Sequence, residues 1–256
     1  VVSLPRNDMR CYEPCKAKYN NLIHSVITSK RGRSNLIKKC AFTLAEVLIT
    51  LGIIGVVAAM TLPVLVNKYQ EKVTVSKVKK FYSTMNQVLL MSIKDNGYPS
   101  EWSISDGQNS TTAKQLAQYL IPHMKIIKDC GVNSGCLKYT SKAKFLDGNI
   151  SNINYDTDNR YYKIILADNS YIWFRSSTPY CINDAPAYYT IKNTCFSIFF
   201  DINGYKPPNT IGKDIFGSAI DKDGKIDLDI ADCTKTSKGW GCGGYILINS
   251  NMNYLK

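Results

Sequence analysis

The sequence predicts an α+β fold, in which one long N-terminal α-helix packs on a small antiparallel β-sheet head domain held by disulfides. Three observations support this prediction. Residues 47–66 form an uncharged apolar run, apolar residues then recur at helical spacing as far as Ile93, and six of the nine cysteines fall in the remainder. We predict four segments: a basic leader, a membrane-spanning half-helix, an amphipathic half-helix and a head domain, over 1–41, 42–66, 67–97 and 98–256.

The leader carries most of the chain's positive charge. Residues 1–41 hold nine Lys/Arg and two acidic residues, so +7 of the net charge of +12 lies there. Basic residues that precede an apolar span place the N-terminus on the cytoplasmic side of a membrane. We therefore predict a cytoplasmic leader and an extracytoplasmic head, and a targeting role for this charge in preference to nucleic-acid binding.

The apolar run is long enough to span a bilayer. Val47–Val66 contains 20 residues without a charge, which as a helix measure roughly 30 Å. The run is longer than the apolar region of a signal peptide. Glu46 stands directly before it, and a carboxylate at such a position is costly unless it has a partner. A plain membrane anchor leaves that residue unexplained.

The residues around Glu46 resemble a known processing motif. The segment Lys38-Lys39-Cys40-Ala41-Phe42-Thr43-Leu44-Ala45-Glu46 is similar to the cleavage site of type IV prepilins and type II secretion pseudopilins. Pro63 is the twenty-second residue counted from Phe42, where that family commonly has a helix-kinking proline. The sequence departs from the family at Ala41, where glycine is usual, and in the length of the leader.

This resemblance implies a processing step. Prepilin peptidase is expected to cleave between Ala41 and Phe42 at the cytoplasmic face of the bacterial inner membrane, and to N-methylate Phe42. The methylated amine keeps its charge, so Glu46 is expected to pair with the Phe42 ammonium of a neighbouring subunit. The alternative role of Glu46 is to complement the positive N-terminus of its own helix.

The resemblance also implies assembly through the helix. Gly52 and Gly55 would allow close helix approach, with Gly55 and Ala59 in a small-xxx-small spacing, and Pro63 is expected to kink or loosen the helix. The expected function is a structural subunit, a minor pilin or pseudopilin, of a type IV pilus-like or type II secretion filament. Its expected partners are prepilin peptidase, other pilin or pseudopilin subunits and the inner membrane, before it enters a periplasmic or extracellular filament.

The head domain contains several predicted elements. Residues 111–128 have helical periodicity, residues 161–167 and 171–174 read as a hairpin around Asp168-Asn169, and a further turn is predicted at Asp223-Gly224. Two more strands are predicted, over 195–200 and 244–248.

Removal of the leader leaves an even number of cysteines outside the cytoplasm, which is typical of a disulfide framework. Six cysteines allow 15 pairings, and short loops favour one of them. The preferred pairs are Cys130–Cys136, Cys181–Cys195 and Cys233–Cys242.

A cofactor is not expected, except that calcium is possible at residues 201–216 or at the EF-hand-like stretch 221–227, for which a hairpin turn is the better explanation. Residues 201–216 resemble a recurrent stretch near the C-terminus of pilin-like proteins. Asp201, Asn203 and Asp214 supply side-chain oxygens of the kind that Ca²⁺ binds.

Two other classes of function stay open. An anchored enzyme is disfavoured, because His123 is the only histidine after the leader and neither a Ser-His-Asp set nor a glycine-rich phosphate loop is present. The head could instead be adhesive or bind DNA. The helix surface carries five closely spaced lysines, but such spacing is more typical of a solvated face: Lys68, Lys72, Lys77, Lys79 and Lys80.

Overall fold

The computed structural model describes residues 43–137, 142–177, 181, 193–228 and 230–256. The leader, Ala41 and Phe42 lie outside the described residues. The chain divides into two compact units within its first helix, between Ile53 and Ile54.

Helix α1 is the dominant element, and it runs over Leu44–Asn96 for 53 residues. It is long and apolar enough to cross a membrane. The helix continues through Pro63, so the proline does not end it. The first buried residue is Val75, and the amphipathic stripe then buries Val78, Phe81, Tyr82, Met85, Val88, Leu89 and Ser92. The predicted long helix is therefore confirmed, with an amphipathic second half.

Within the described residues, the head is built on five antiparallel strands in the order β1-β2-β3-β4-β5, a meander without crossovers. The strands are β1 (Ile126–Gly131), β2 (Tyr162–Leu166), β3 (Tyr171–Ser176), β4 (Thr194–Asp201) and β5 (Ile215–Asp221). The described part of the head also contains helices α2 (Ser110–Leu120) and α3 (Cys242–Asn249), with short 3-10 turns at Pro99–Glu101, Ile121–His123 and Asn253–Leu255.

The two faces of the sheet are covered differently. On β4, Phe196, Ile198 and Phe200 belong to the core that contains α1, α2 and α3. Phe199 belongs to a second core, formed with aromatic side chains of the loops on the other face. This alternation follows from the two-residue period of a strand that is buried on both faces. Phe81 of α1 stacks on Phe200, with ring centroids 3.4 Å apart.

Two predicted head elements are wrong. The helix predicted over 111–128 ends at Leu120, because Pro122 removes a backbone donor and the chain enters β1 at Ile126. The strand predicted over 244–248 is part of helix α3. The predicted hairpin is confirmed as β2–β3, and β4 contains the predicted strand over 195–200. The turn at Asp223-Gly224 is also confirmed, since Ile220 and Ile226 pair across it.

Candidate processing and assembly site

The N-terminus of α1 is closed by a reciprocal hydrogen-bonded pair. The main-chain N–H and the hydroxyl of Thr43 donate to Oε2 of Glu46 over 3.0 and 3.1 Å, and the N–H of Glu46 donates to Oγ1 of Thr43 over 3.2 Å. This is a capping box, in which two otherwise unsatisfied donors of the first turn are satisfied. Glu46 therefore has the local role that complements its own helix N-terminus.

The same arrangement leaves part of the carboxylate accessible. Glu46 is exposed. In the part of the chain that the structure describes, both bonds to the Glu46 carboxylate reach Oε2, and Oε1 is available to a further donor. Residue 42 directly precedes the Thr43 cap in the sequence. The cap thus leaves one oxygen of the Glu46 carboxylate for the pairing with a neighbouring ammonium, which stays a prediction.

The glycines of the apolar half-helix have no packing role within their own chain. A Cβ atom built on Gly52 or on Gly55 meets no other atom within 4 Å. Absence of a side chain at these positions is therefore not required by the fold. A role of Gly52 and Gly55 in close helix approach therefore stays a prediction, and the alternative is that glycine is common in membrane helices.

The apolar side chains of this half-helix are uncovered. Leu44, Leu48, Ile54 and Leu65 are each at least 60% exposed. Soluble monomers rarely expose a contiguous apolar surface of this kind, and such a surface marks a membrane or protein contact. Glu46 is the only charged residue in 44–66.

Three of the five lysines after the apolar run bind the head. Lys77 Nζ donates to the carbonyl of Ile202 over 2.8 Å, and Lys79 Nζ donates to Oγ of Ser250 over 2.6 Å. Lys80 forms an ion pair with Asp168 at 2.9 Å. The spacing of the lysines predicted a solvated face, and the three residues are indeed exposed. Their contacts with residues far along the chain could not be predicted from that local spacing.

Asp201, Asn203 and Asp214 lie together where β4 ends and β5 begins. Oδ1 of Asp201 accepts hydrogen bonds from the N–H groups of Asn203 and Gly204, both at 3.0 Å. The side-chain amide of Asn203 donates to Oδ2 of Asp214 over 3.0 Å, and Asp214 also accepts the N–H of Thr210 at 2.6 Å. These three residues thus form one polar cluster, in which both aspartates are buried and Asn203 is half-buried.

The cluster holds more negative charge than its hydrogen bonds satisfy. Burial, and next the charge of Asp214, raise the pKa of Asp201 well above its usual range. Burial likewise raises the pKa of Asp214. Among the described residues, Oδ2 of Asp201 and Oδ1 of Asn203 are buried without a hydrogen-bond partner.

A proton or a cation would relieve this cluster. The described residues contain no group of three or more His, Cys, Asp or Glu arranged to hold a metal ion. A site here would therefore depend on amide or main-chain oxygens beside the two carboxylates. Calcium binding at Asp201, Asn203 and Asp214 stays a prediction.

The six cysteines of the head lie in three pairs, which are those that short loops favour: Cys130–Cys136, Cys181–Cys195 and Cys233–Cys242. The second pair joins the start of β4 to Cys181, and the third joins α3 to the loop before it. Each pair therefore fastens a loop to a regular element.

Comparison with known protein families indicates the class to which the chain belongs. Residues 37–62 match the prokaryotic N-terminal methylation motif. Together with the long helix and the antiparallel sheet, this motif defines a type IV pilin-like or pseudopilin-like protein. Residues 64–213, more than half of the chain, match the model of a family of unknown function, DUF6613. The chain belongs to that family. No curated protein and no solved structure matches it.

Proposed function

We propose that the chain is a structural subunit, a minor pilin or pseudopilin, of a type IV pilus-like or type II secretion filament. The observation that carries this proposal is Glu46, a lone carboxylate at the start of an uncovered apolar helix, within residues that match a methylation motif. In this proposal the head has a structural role and not a catalytic one.

In the proposed mechanism, prepilin peptidase hydrolyses the amide bond between Ala41 and Phe42 in the inner membrane. The basic leader stays on the cytoplasmic side, and the head lies outside. Methylation of the new Phe42 amine preserves its positive charge. In the low dielectric of a helix bundle an isolated carboxylate is costly, whereas a paired one is tolerated.

Pairing through Glu46 would set the axial register between subunits. The carboxylate lies at one end of the uncharged run, so a subunit that is displaced along the bundle axis leaves both charges without a partner. Gly52 and Gly55 would then permit close helix packing. The proposed partners are therefore other pilin or pseudopilin subunits.

The test is intact-mass and N-terminal analysis of the protein extracted from membranes. The expected result is a chain that begins at N-methyl-Phe42. A mature protein with another N-terminus would remove the proposal.

A further inference from the structure

Three loops meet on the face of the sheet that is turned away from α1. They are residues 142–152, 205–213 and 233–240, and each contributes a buried residue to the second core: Ala143, Ile211 and Trp240. The N–H of Lys144 donates to the carbonyl of Asn209 over 3.0 Å, which joins the first loop to the second. The N–H of Asp147 donates to the carbonyl of Ser237, also over 3.0 Å, and joins the first loop to the third. The three loops therefore form one surface, which we call the loop face.

Two glycines allow the second and third loops to touch. A Cβ atom on Gly239 would lie 2.7 Å from the carbonyl oxygen of Ile211, and one on Gly212 would lie 3.2 Å from the carbonyl oxygen of Gly239. Both glycines also have a positive φ, which glycine adopts without steric cost. Lys213 and Lys238 directly adjoin these glycines in the sequence. The close approach of the two loops therefore brings both lysines to one junction.

The loop face carries positive charge that is not neutralised within the head. Six exposed lysines belong to it: Lys142, Lys144, Lys206, Lys213, Lys235 and Lys238. Among the residues that the structure describes, none of them forms an ion pair. Asp147 is the only acidic residue of the three loops, and the adjacent Asp232 is half-buried and accepts two main-chain N–H groups. Such a surface attracts an anionic partner.

A pocket of about 480 Å³ opens on the loop face. Its polar lining consists of Asp147, Asn149, Asn152 and Lys238. The Asp147 carboxylate accepts the main-chain N–H and the side-chain amide of Asn149 over 2.8 and 3.1 Å, which fixes both side chains. Phe145 and Ile150 give the pocket an apolar part, and Ile150 is 56% exposed. Lys144 pairs with Ile150 across the hairpin, so a second lysine stands beside the pocket.

The chemistry of this pocket is suited to a sugar ring. Amide and carboxylate groups exchange hydrogen bonds with hydroxyls, and the apolar part can pack on the C–H surface of a ring. A small anion would need several cations around one cavity, but Lys238 is the only one of the six lysines that lines the pocket. The other five lysines therefore favour a ligand that extends beyond it.

Two kinds of extended anion differ in how they match the pocket. A DNA duplex has the required negative charge, but it offers phosphates without free sugar hydroxyls, and the Asp147 carboxylate in the pocket would repel a phosphate. A polysaccharide with carboxylated rings offers hydroxyls to the pocket and repeated negative charge to the lysines around it. The loop face therefore matches the polysaccharide better.

We propose that the loop face binds an acidic polysaccharide, with one sugar ring in the pocket and the carboxylates of neighbouring rings against the loop lysines. This binding goes beyond the filament role and does not depend on it. The loop face lies on the opposite side of the sheet from α1, the helix through which subunits are proposed to associate.

The test measures the affinity of the full chain, in non-ionic detergent, for a fluorescent oligogalacturonate, which is an oligomer of carboxylated sugars. The loop variant replaces four lysines by glutamine: Lys144, Lys213, Lys235 and Lys238. It is expected to bind at least about tenfold more weakly, because four screened charge contacts are lost. The matched control replaces four exposed lysines outside the loops and is expected to bind as the wild type does: Lys94, Lys114, Lys128 and Lys222. Thermal unfolding at the wild-type temperature shows that both variants are folded.

A second variant tests the pocket. Asn152→Ala is expected to weaken binding of the oligogalacturonate several-fold and to leave any binding of a DNA duplex unchanged. The methyl-esterified oligomer has no carboxylates, so it is expected to bind more weakly and to be insensitive to the loop variant.

Three outcomes would overturn the proposal. Equal losses in the loop variant and its control would show that binding follows net charge and not the loop face. A DNA duplex of the same total charge that binds more tightly than the oligogalacturonate would assign the lysines to a phosphate polymer. Wild-type affinity of Asn152→Ala for the oligogalacturonate, or no binding of it by the wild-type chain, would remove the sugar site.

Discussion

The carboxylate of Glu71 accepts a hydrogen bond from the main-chain N–H of Met252 over 2.9 Å, and so joins the last residues of the chain to helix α1. A second bond links Lys79 to Ser250, and the hydroxyl of buried Tyr254 donates to the carbonyl of Gly212 over 2.7 Å. The C-terminal residues are therefore part of the core structure, and α1 and the C-terminus support each other.

Glu71→Ala is expected to lower the free energy of unfolding by about 1.5–3 kcal/mol, because a hydrogen bond to a charged group is lost. Glu71→Gln keeps an acceptor oxygen and is expected to lose about half as much. Chemical unfolding of the detergent-solubilised full chain measures both. Equal losses in the two variants would show that the bond to Met252 is not the cause.

Loss of the Glu46 carboxylate is expected to stop assembly and not processing. Glu46→Ala should still yield N-methyl-Phe42, but it should be absent from filaments because the neighbouring ammonium has no partner. Thr43→Val removes the hydroxyl of the capping box and keeps the carboxylate, at a cost of about 1 kcal/mol in a helix of 53 residues. It is therefore expected to assemble. Normal incorporation of Glu46→Ala would defeat the pairing role and leave the cap as its function.

The side-chain size that assembly tolerates in the apolar half-helix can be tested at Gly55. Gly55→Ala and Gly55→Leu meet no atom of their own chain at Cβ, so neither is expected to reduce the stability of the head. Gly55→Leu is expected to prevent close helix approach and to lower filament incorporation several-fold, whereas Gly55→Ala keeps a small residue and retains assembly. Incorporation of both variants at the wild-type level would contradict a packing role for Gly55.

The buried cluster predicts an unusual dependence of stability on pH. The pKa of Asp201 is raised in the folded protein, so the folded state holds more protons than the unfolded state above the ordinary aspartate range. Stability is then expected to fall as the pH rises from that range through the raised pKa. Asp201→Asn removes the ionisation and is expected to raise the melting temperature at pH 8 and to leave it nearly unchanged at pH 4.

The carboxylate of Asp214 accepts the N–H groups of Asn209 and Thr210, and alanine at this position would leave both donors without their acceptor. Asp214→Ala is expected to destabilise the head at both pH values. If calcium occupies the cluster, millimolar Ca²⁺ raises the melting temperature of the wild-type chain, and Asp201→Asn abolishes that increase. A wild-type melting temperature that does not respond to Ca²⁺ would leave the proton as the neutralising group.

The disulfide between Cys181 and Cys195 closes a loop with a sequence separation of 14. Replacement of both cysteines by serine is expected to lower the free energy of unfolding by about 3 kcal/mol, on the chain-entropy account of cross-links. The disulfide between Cys130 and Cys136 closes a shorter loop, with a separation of 6. Its double serine variant is therefore expected to lose less free energy of unfolding. Urea unfolding of the two variants side by side checks the order, and the reverse order would contradict the entropic explanation.

The sequence correctly predicted those elements that depend on residues close together in the chain. The stripe that contains Val78, Met85 and Leu89 identified the core face of α1, and Asp168-Asn169 identified the β2–β3 turn. The predicted strand at 244–248 failed because a short apolar run fits a buried strand and a buried helix equally well. In the structure these residues belong to helix α3, which buries Cys242 and Ile246 in the core of the head.

The candidate site and its surroundings likewise include features that the sequence predicts and contacts that it does not. The motif around Glu46 was visible in the sequence, and the capping box with Thr43 follows from their three-residue spacing. The bond between Glu71 and Met252 joins residues 181 positions apart. The contacts of Lys77 and Lys79 with the head are similarly distant. Such contacts depend on the completed fold, and the periodicity of the helix does not predict them.

The aromatic contacts between α1 and the sheet have a mechanical consequence. Phe81 stacks on Phe200 of β4, and the hydroxyl of Tyr82 is hydrogen-bonded to that of Ser218 of β5. Because Phe81 and Tyr82 are consecutive residues, one turn of α1 contacts two strands of the sheet. A force applied to the helix would therefore reach β4 and β5 together. In the proposed filament, these two strands of the head and its helix would thus carry load as one unit.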